Sequence, residues 1–498
     1  MKRIVVIGAG FGGISAAAYL ARAGHSVTVY EKNSWVGGRA RVLERDGFRL
    51  DMGPSWYWMP GEHDRWFADL DADRTRFYDI RRVDPSYKVY FGDSPPAEED
   101  NEVVMPTDPG QVRAVFERYE PGAAERLDRF LVSARAKYEL AMRRFIYRNF
   151  DSPLDMISGE MIRNLGTLNL LRSYRSLVNR SFTHPYLRKM LEFPVVFLGS
   201  YAARTPAMYT LMSHIDLSLG TWYPEGGFGA VVQAMRQVAE GHGARFELDT
   251  EVTAIHGNSG RVAGVQILKD GVQESVVADA VVANADYPYV ENRLLDERYR
   301  SIGTRAWERK TFAPAVLNFY LGVNRTLPEL AHHTFFFDTD WDAHFGSVYG
   351  RRRWPDDPLF YIHIPSRTDP TCAPKGKEAV FILVPCAIGL EDTDYVHERI
   401  YCRVLDRIRM LAGVSLADSV VFRQVMSIRD FERDYNAWEG NAFGLGQTLL
   451  QTAWFRPPNH SRKLAGLYYA GQYTVPGTGT TMSMISGKLA AMRINDER

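Results

Sequence analysis

Three glycines pose the first chemical question. Gly8, Gly10 and Gly13 spell G-x-G-x-x-G directly after Ile4-Val5-Val6-Ile7, and residues 14–23 follow as a helix stopped by Gly24. Four β-branched apolar residues make a strand of the kind buried in a parallel sheet. In such a turn Gly8 permits the tight bend, Gly10 lets backbone approach a pyrophosphate, and Gly13 lets the helix pack on the strand. The helix then turns its partly positive N-terminus towards the phosphates. Residues 26–30 form a second strand closed by Glu31, 18 residues after Gly13. That is where an acid bonds the hydroxyls of an adenosine ribose. A glycine turn that only packs would not require Glu31, so the stretch predicts a dinucleotide site.

The next residues narrow the choice of dinucleotide. Lys32 follows Glu31, then Gly37-Gly38-Arg39-Ala40-Arg41, then Asp51-Met52-Gly53-Pro54-Ser55. A nicotinamide half-site needs no second glycine pair with two arginines. A cofactor buried lengthwise does, because the glycines bring a second backbone stretch against it and Arg39 and Arg41 can neutralise its pyrophosphate. The plainer alternative is a solvated charged turn. At the far end, residues 466–471 run as a strand into a glycine-rich turn (Pro476-Gly477-Thr478-Gly479-Thr480-Thr481-Met482), and residues 483–492 read as a helix. Strand, glycine turn and helix again make anion-binding geometry.

These stretches sit in a chain of 498 residues, long enough for two or three structural units. Lysine plus arginine equals aspartate plus glutamate at 60 each, so no global charge recruits nucleic acid. Cys372, Cys386 and Cys402 lack C-x-x-C spacing and are expected as buried thiols of a reducing compartment. No metal site is expected. Met1-Lys2-Arg3 leads straight into the first strand without a signal-peptide pattern, and no stretch of about 18 apolar residues suggests a bilayer span.

Between the two ends, Trp56-Tyr57-Trp58 reads either as core or as an aromatic wall beside an apolar ligand. Residues 82–91 alternate like a strand, and 95–102 form an acidic turn. Residues 110–215 read as mostly helical. Within them 161–191 carries Arg163, Arg172, Arg175, Arg180, Arg188 and Lys189 with no acidic residue, among leucines and aromatics. Such basic amphipathic helices suit an anionic membrane surface. The alternative is a helix face whose partners lie elsewhere in the fold. Residues 192–199 are too short to span a bilayer and suit an interfacial or tunnel-lining segment. From 230 to 286 helix, strands and a hairpin alternate, and 315–322 and 381–385 supply further strands.

The pattern E-K-x-x-x-x-G-G-R after the first fingerprint resembles the FAD-binding superfamily that includes amine oxidases, protoporphyrinogen oxidase and carotenoid desaturases. Residues 221–290, with Pro224-x-Gly226-Gly227 and Ala278-Asp279-Ala280-Val281-Val282, resemble its returning half. His363-Ile364-Pro365-Ser366-Arg367-Thr368-Asp369-Pro370 and the aromatic run after Gly53-Pro54-Ser55 are similar to bacterial-type phytoene desaturases. The chain departs from their closing motif, which often ends in a second proline where this sequence has Thr481-Met482.

The resemblance implies an α/β fold: a Rossmann-like FAD-binding domain (1–60, 220–290, 455–498), a mixed-sheet substrate domain (61–109, 291–454) and a helical lid or membrane-contact insertion (110–219). It places Val252 beside the adenine, Ala283 and Asn284 over the cofactor, Gly471 by the ribityl-pyrophosphate, and Thr481 and Met482 near the flavin ring. It implies FAD, a long apolar isoprenoid substrate such as phytoene, and removal of hydride plus proton from an allylic carbon. No second nucleotide fingerprint is present for NAD(P), so oxygen or a quinone is the expected acceptor. The expected location is cytoplasmic, peripheral at the inner face of the cell membrane. No histidine or carboxylate stands out as a catalytic base. The alternatives are an oxidase, isomerase or saturase acting on another carotenoid, a retinoid, an amine or a porphyrinogen, and a non-catalytic prenyl-binding escort.

Overall fold

The computed structural model describes residues 1–92, 100–152, 155 and 172–496. Part of the acidic turn and the upstream half of the basic stretch, with Arg163, lie outside the described residues. The first strand, Arg3–Ile7, is central in a five-stranded parallel sheet. It pairs on one side with Ser26–Tyr30 and on the other with Ala280–Ala283, followed outward by Arg245–Glu247 and Leu467–Tyr469 respectively. Ile4, Val5, Val6 and Ile7 are all buried, which is why this strand is continuously apolar rather than alternating.

A seven-stranded mixed sheet lies beside it, in the order Val420–Met426, Ala315–Val323, Glu378–Cys386, Phe360–His363, His333–Phe337, Tyr87–Phe91, Glu102–Met105. Its neighbours are antiparallel except His333–Phe337 with Tyr87–Phe91. Residues 82–91 are not one strand: Ile80–Arg82 pairs with Trp222–Pro224, and the chain breaks at Asp84-Pro85 before rejoining the large sheet. The expected hairpin is present, Arg261–Lys269 pairing antiparallel with Val272–Val277.

Helix Phe11–Arg22 packs against the last helix, Thr480–Asp496, at glycine level. A methyl at Gly487 would overlap the Gly12 carbonyl oxygen, and one at Gly12 would lie 3.0 Å from the Gly471 nitrogen. Ser15 Oγ donates to the Met484 carbonyl at 2.7 Å, and the Gly471 N–H donates to Ser486 Oγ at 2.7 Å. The buried Asp51 carboxylate accepts from the N–H groups of Phe228 (2.7 Å) and Gly229 (3.1 Å), capping helix Gly227–Gly241.

Residues 109–146 and 174–219 are largely helical. The basic row does not form one solvated face. Arg175 pairs with Asp342 at 2.6 Å and Glu192 at 3.4 Å, Arg188 donates to the Phe182 carbonyl, and Lys189 donates to the Phe337 carbonyl. Arg172 and Arg180 remain exposed. Cys372 and Cys386 are buried as expected, whereas Cys402 is exposed on helix Asp394–Ala412. Among the described residues no helix is long and apolar enough to cross a membrane.

Asp216 is fully buried at the start of the turn of helix Ile215–Leu219, with one carboxylate oxygen unpartnered, and desolvation pushes its pKa from 3.8 up to about 8. The folded state therefore takes up a proton that the unfolded chain lacks, and stability falls as pH rises from about 4 to about 8. Asp216→Asn should flatten that fall and raise Tm by several degrees above pH 8, read by thermal melts across pH.

Candidate functional site

The carboxyl ends of strands Arg3–Ile7, Ser26–Tyr30, Ala280–Ala283 and Leu467–Tyr469 open onto one cavity of about 550 Å³, where a doubly wound sheet presents its ligand. Gly8, Gly10, Glu31, Lys32, Gly38, Arg39, Gly53, Pro54, Ser55, Val252, Asn284, Gly471, Thr481 and Met482 line it. The first forty residues and the last thirty thus share one space.

Three expected residues do not line the cavity. Gly13 faces the strand it was expected to approach: a Cβ there would overlap the Gly8 carbonyl oxygen, so its contribution is the close helix–strand packing. Ala283 is 1% exposed inside the sheet, and its neighbour Asn284 turns into the cavity, donating to the Gly8 carbonyl at 3.2 Å. Arg41 is committed elsewhere, with Nη2 2.8 Å from Asp434 and its guanidinium 4.6 Å from the centre of the Trp35 ring. Its charge holds Asp434, which lines the cavity, rather than facing a pyrophosphate.

The polar end is built for an anion and a sugar. Gly8 takes φ +93° and Gly471 φ +100°, left-handed values that glycine adopts without strain. Glu31 is 6% exposed, and its carboxylate accepts from the N–H groups of Ala9 (2.8 Å) and Asn33 (3.0 Å). Arg39 donates to the Asn441 carbonyl at 3.3 Å and lies 5.1 Å from the centre of the Tyr435 ring, while its Nε is buried without a partner. Asp286 was not singled out from the sequence. It accepts from Tyr473 O–H at 2.5 Å, and burial raises its pKa to about 6. Tyr473 and Asn441 complete this network at 2.9 Å. Asp286 lies more than 150 residues before Asn441 and Tyr473 in sequence, and no local motif joins it to them.

At the apolar end the aromatic run divides, by alternation, between the cavity wall and the core. Trp56 and Trp58 line the cavity, but Tyr57 points away, fully buried, with its hydroxyl 2.8 Å from Tyr78 Oη. The segment Phe193–Leu198 contributes Phe197 and Leu198, as a tunnel-lining role requires. Phe145, Ile146, Met208, Met212 and Ile215 join them from the helical region. Spacing alone did not distinguish these from ordinary core residues.

The flavin-containing amine oxidoreductase profile matches residues 11–495. The chain is 40% identical to a carotenoid 3,4-desaturase of Haloarcula japonica over 98% of this chain and 97% of that one. It is 34% identical to a zeta-carotene-forming phytoene desaturase of Myxococcus xanthus, over 99% and 94%. This chain belongs to the carotenoid desaturase family of the flavin-containing oxidoreductases.

A putrescine oxidase triple mutant shares the fold with TM-score 0.64 at 16% identity, covering 100% of this chain and 99% of that one. A flavin is the cofactor of this desaturase-family chain. Its cavity fits one: a buried Arg39 nitrogen lacks a partner, and glycine backbone approaches from both ends. Hydrogen bonds to charged groups contribute about 1.5–3 kcal/mol. Arg39→Ala should therefore weaken flavin retention roughly ten- to a hundredfold, read by the flavin-to-protein absorbance ratio after gel filtration.

Proposed function

We propose that this chain is an FAD-dependent carotenoid desaturase that acts on a long isoprenoid, phytoene or a close derivative. One observation carries the reading: a single cavity joins a dinucleotide-type polar strip to an aromatic and aliphatic end lined by Trp56, Trp58, Phe145, Phe197 and Met212. In this reading the domains are 1–60, 220–290 and 455–498 for the cofactor, 61–109 and 291–454 for substrate, and 110–219 as the lid. Glu31 takes the ribose, Arg39 the pyrophosphate, Val252 flanks the adenine, Gly471 sits by the ribityl-pyrophosphate, and Thr481 and Met482 border the ring.

An allylic C–H bond is neither acidic nor polarised, and bound oxidised flavin supplies the hydride acceptor that no side chain can. The protein supplies orientation and dryness. Trp56 and Trp58 offer flat walls along which a polyene lies. The N-terminus of helix Thr480–Asp496 presents its partial positive charge where negative charge grows. Thr481 is 7% exposed, with Oγ1 3.3 Å from His63 Nε2. His63 is held neutral by burial, with a pKa of about 3, so this contact adds no charge beside the reacting bond.

A second reading, 3,4-desaturation of an already conjugated carotenoid, is favoured by the higher identity to the Haloarcula japonica relative. Expression in one host accumulating phytoene and another accumulating a longer-conjugated carotenoid distinguishes the two. New conjugated pigment is expected in the first host. Pigment only in the second supports 3,4-desaturation, and unchanged pigment in both defeats the proposal. Chromatography of the released cofactor should give FAD rather than the mononucleotide. With no NAD(P) fingerprint, oxygen or a membrane quinone reoxidises the flavin.

Substrate of this kind resides in a bilayer, and the reading includes peripheral attachment at the inner face of the cell membrane. Leu449 and Phe455 line the cavity yet are 37% and 47% exposed, and Leu450 beside them is 71% exposed. Exposed Arg143 lies on the same short helix as the cavity-lining Phe145 and Ile146. Leu450→Glu with Arg143→Glu should abolish flotation with anionic liposomes while flavin content is kept. Undiminished flotation would remove this patch from the reading.

A further inference from the structure

Behind the cavity wall lies a cluster that the flavin chemistry does not use. His333 opens strand His333–Phe337 with His332 just before it, and His363 closes the neighbouring strand Phe360–His363, directly opposite His333 in the antiparallel register. They are 4%, 0% and 1% exposed. One nitrogen from each lies within 4.8 Å of the other two. His332 Nε2 and His363 Nε2 face one another at 3.1 Å, and His333 Nε2 is buried with no partner.

The opposite nitrogens are held. His332 Nδ1 is 2.7 Å from Thr368 Oγ1, and His333 Nδ1 is 2.5 Å from Tyr361 Oη. Tyr361 is in turn 3.0 Å from Ser55 Oγ at the cavity. A ring anchored through Nδ1 by an oxygen presents Nε2 in a fixed direction, the outer-sphere arrangement of metal-ligating histidines. A buried imidazole nitrogen left without a hydrogen bond is costly, and a cation shared by the three rings removes that cost.

We propose that His332, His333 and His363 bind a divalent transition-metal ion of the class that imidazole selects, Zn2+ in the first place. Three histidines with a solvent-derived fourth ligand are an established zinc set. No carboxylate belongs to the cluster among the described residues. The fourth position would be filled by water or hydroxide, since Zn2+ brings the pKa of its bound water to about 7. The ion would clamp two strands of the large sheet and, through Tyr361 and Ser55, fix one wall of the substrate cavity.

The test uses untagged full-length flavoprotein from zinc-supplemented cells, analysed for metal by mass spectrometry, and the chelator-treated protein titrated with Co2+. One zinc per chain is expected, together with saturable visible bands of four-coordinate Co2+ that Zn2+ displaces. His333→Gln and His363→Gln should each lose both signals while retaining flavin. Thr368→Val removes only the outer contact, and should keep the bands but weaken Co2+ binding roughly 10–100-fold. Because Thr368 is not a ligand in this scheme, that graded loss separates a metal site from a merely packed histidine cluster. Wild-type protein without zinc and without four-coordinate bands overturns the proposal. So do bands that persist in both glutamine variants, or in Thr368→Val at undiminished affinity.

Discussion

The joint between the first and last helices constrains everything else. Phe11–Arg22 and Thr480–Asp496 meet where Gly12 and Gly487 leave no side chain between them; the hydrogen bond from Ser15 to the Met484 carbonyl fixes the register, and Ser486 holds the Gly471 N–H beside them. Overpacking a close contact of this kind costs about 1–3 kcal/mol. Here it would also push Gly471 away from the first glycine turn. The parallel sheet obeys the same constraint, since Leu467–Tyr469 reaches the central strand only through Ala280–Ala283. Cofactor space exists because these distant segments are held at backbone distance.

Within that frame, polarity is graded along one cavity. At one end the charges are buried and individually managed: Glu31 on backbone amides, Arg41 on Asp434, Asp286 on Tyr473. A buried charge is tolerated only when it is paired or hydrogen-bonded; Arg39 and Arg41 each keep a bare Nε, but Arg41 has the carboxylate of Asp434 and Arg39 only the Asn441 carbonyl. At the other end, aromatic and methionine side chains offer shape without hydrogen bonds. A desaturase needs this combination, because its cofactor is an anion and its substrate a hydrocarbon.

Local chemistry was legible in the sequence, and long-range partnership was not. The glycine fingerprint, Glu31 and the second glycine pair could be read because the turn, the strand end and the acid lie within one short span. Gly13 and Ala283 belong to the right motif, but their small size is used for packing, and motif membership does not say which way a residue faces. Arg41 and Arg175 have partners that no local pattern names. Their carboxylates, Asp434 and Asp342, are brought to them only by the fold. Tyr57 shows the limit of reading aromatic runs, since alternation sends the middle ring to the opposite side. The histidine cluster was invisible because its members come from two strands that become neighbours only in the sheet.

The position of the closing helix has a bearing on biosynthesis. A chain emerges from the ribosome in order, and domains generally fold as they appear. Here the opening strand, its glycine turn and Glu31 are made more than 400 residues before the segment that completes their pocket, Leu467–Tyr469 and Thr480–Asp496. The nascent polypeptide must therefore carry a half-built cleft, with its greasy walls uncovered, until that segment emerges. Flavin capture then waits for the closing strand and helix, and until they emerge that surface needs shielding from its neighbours.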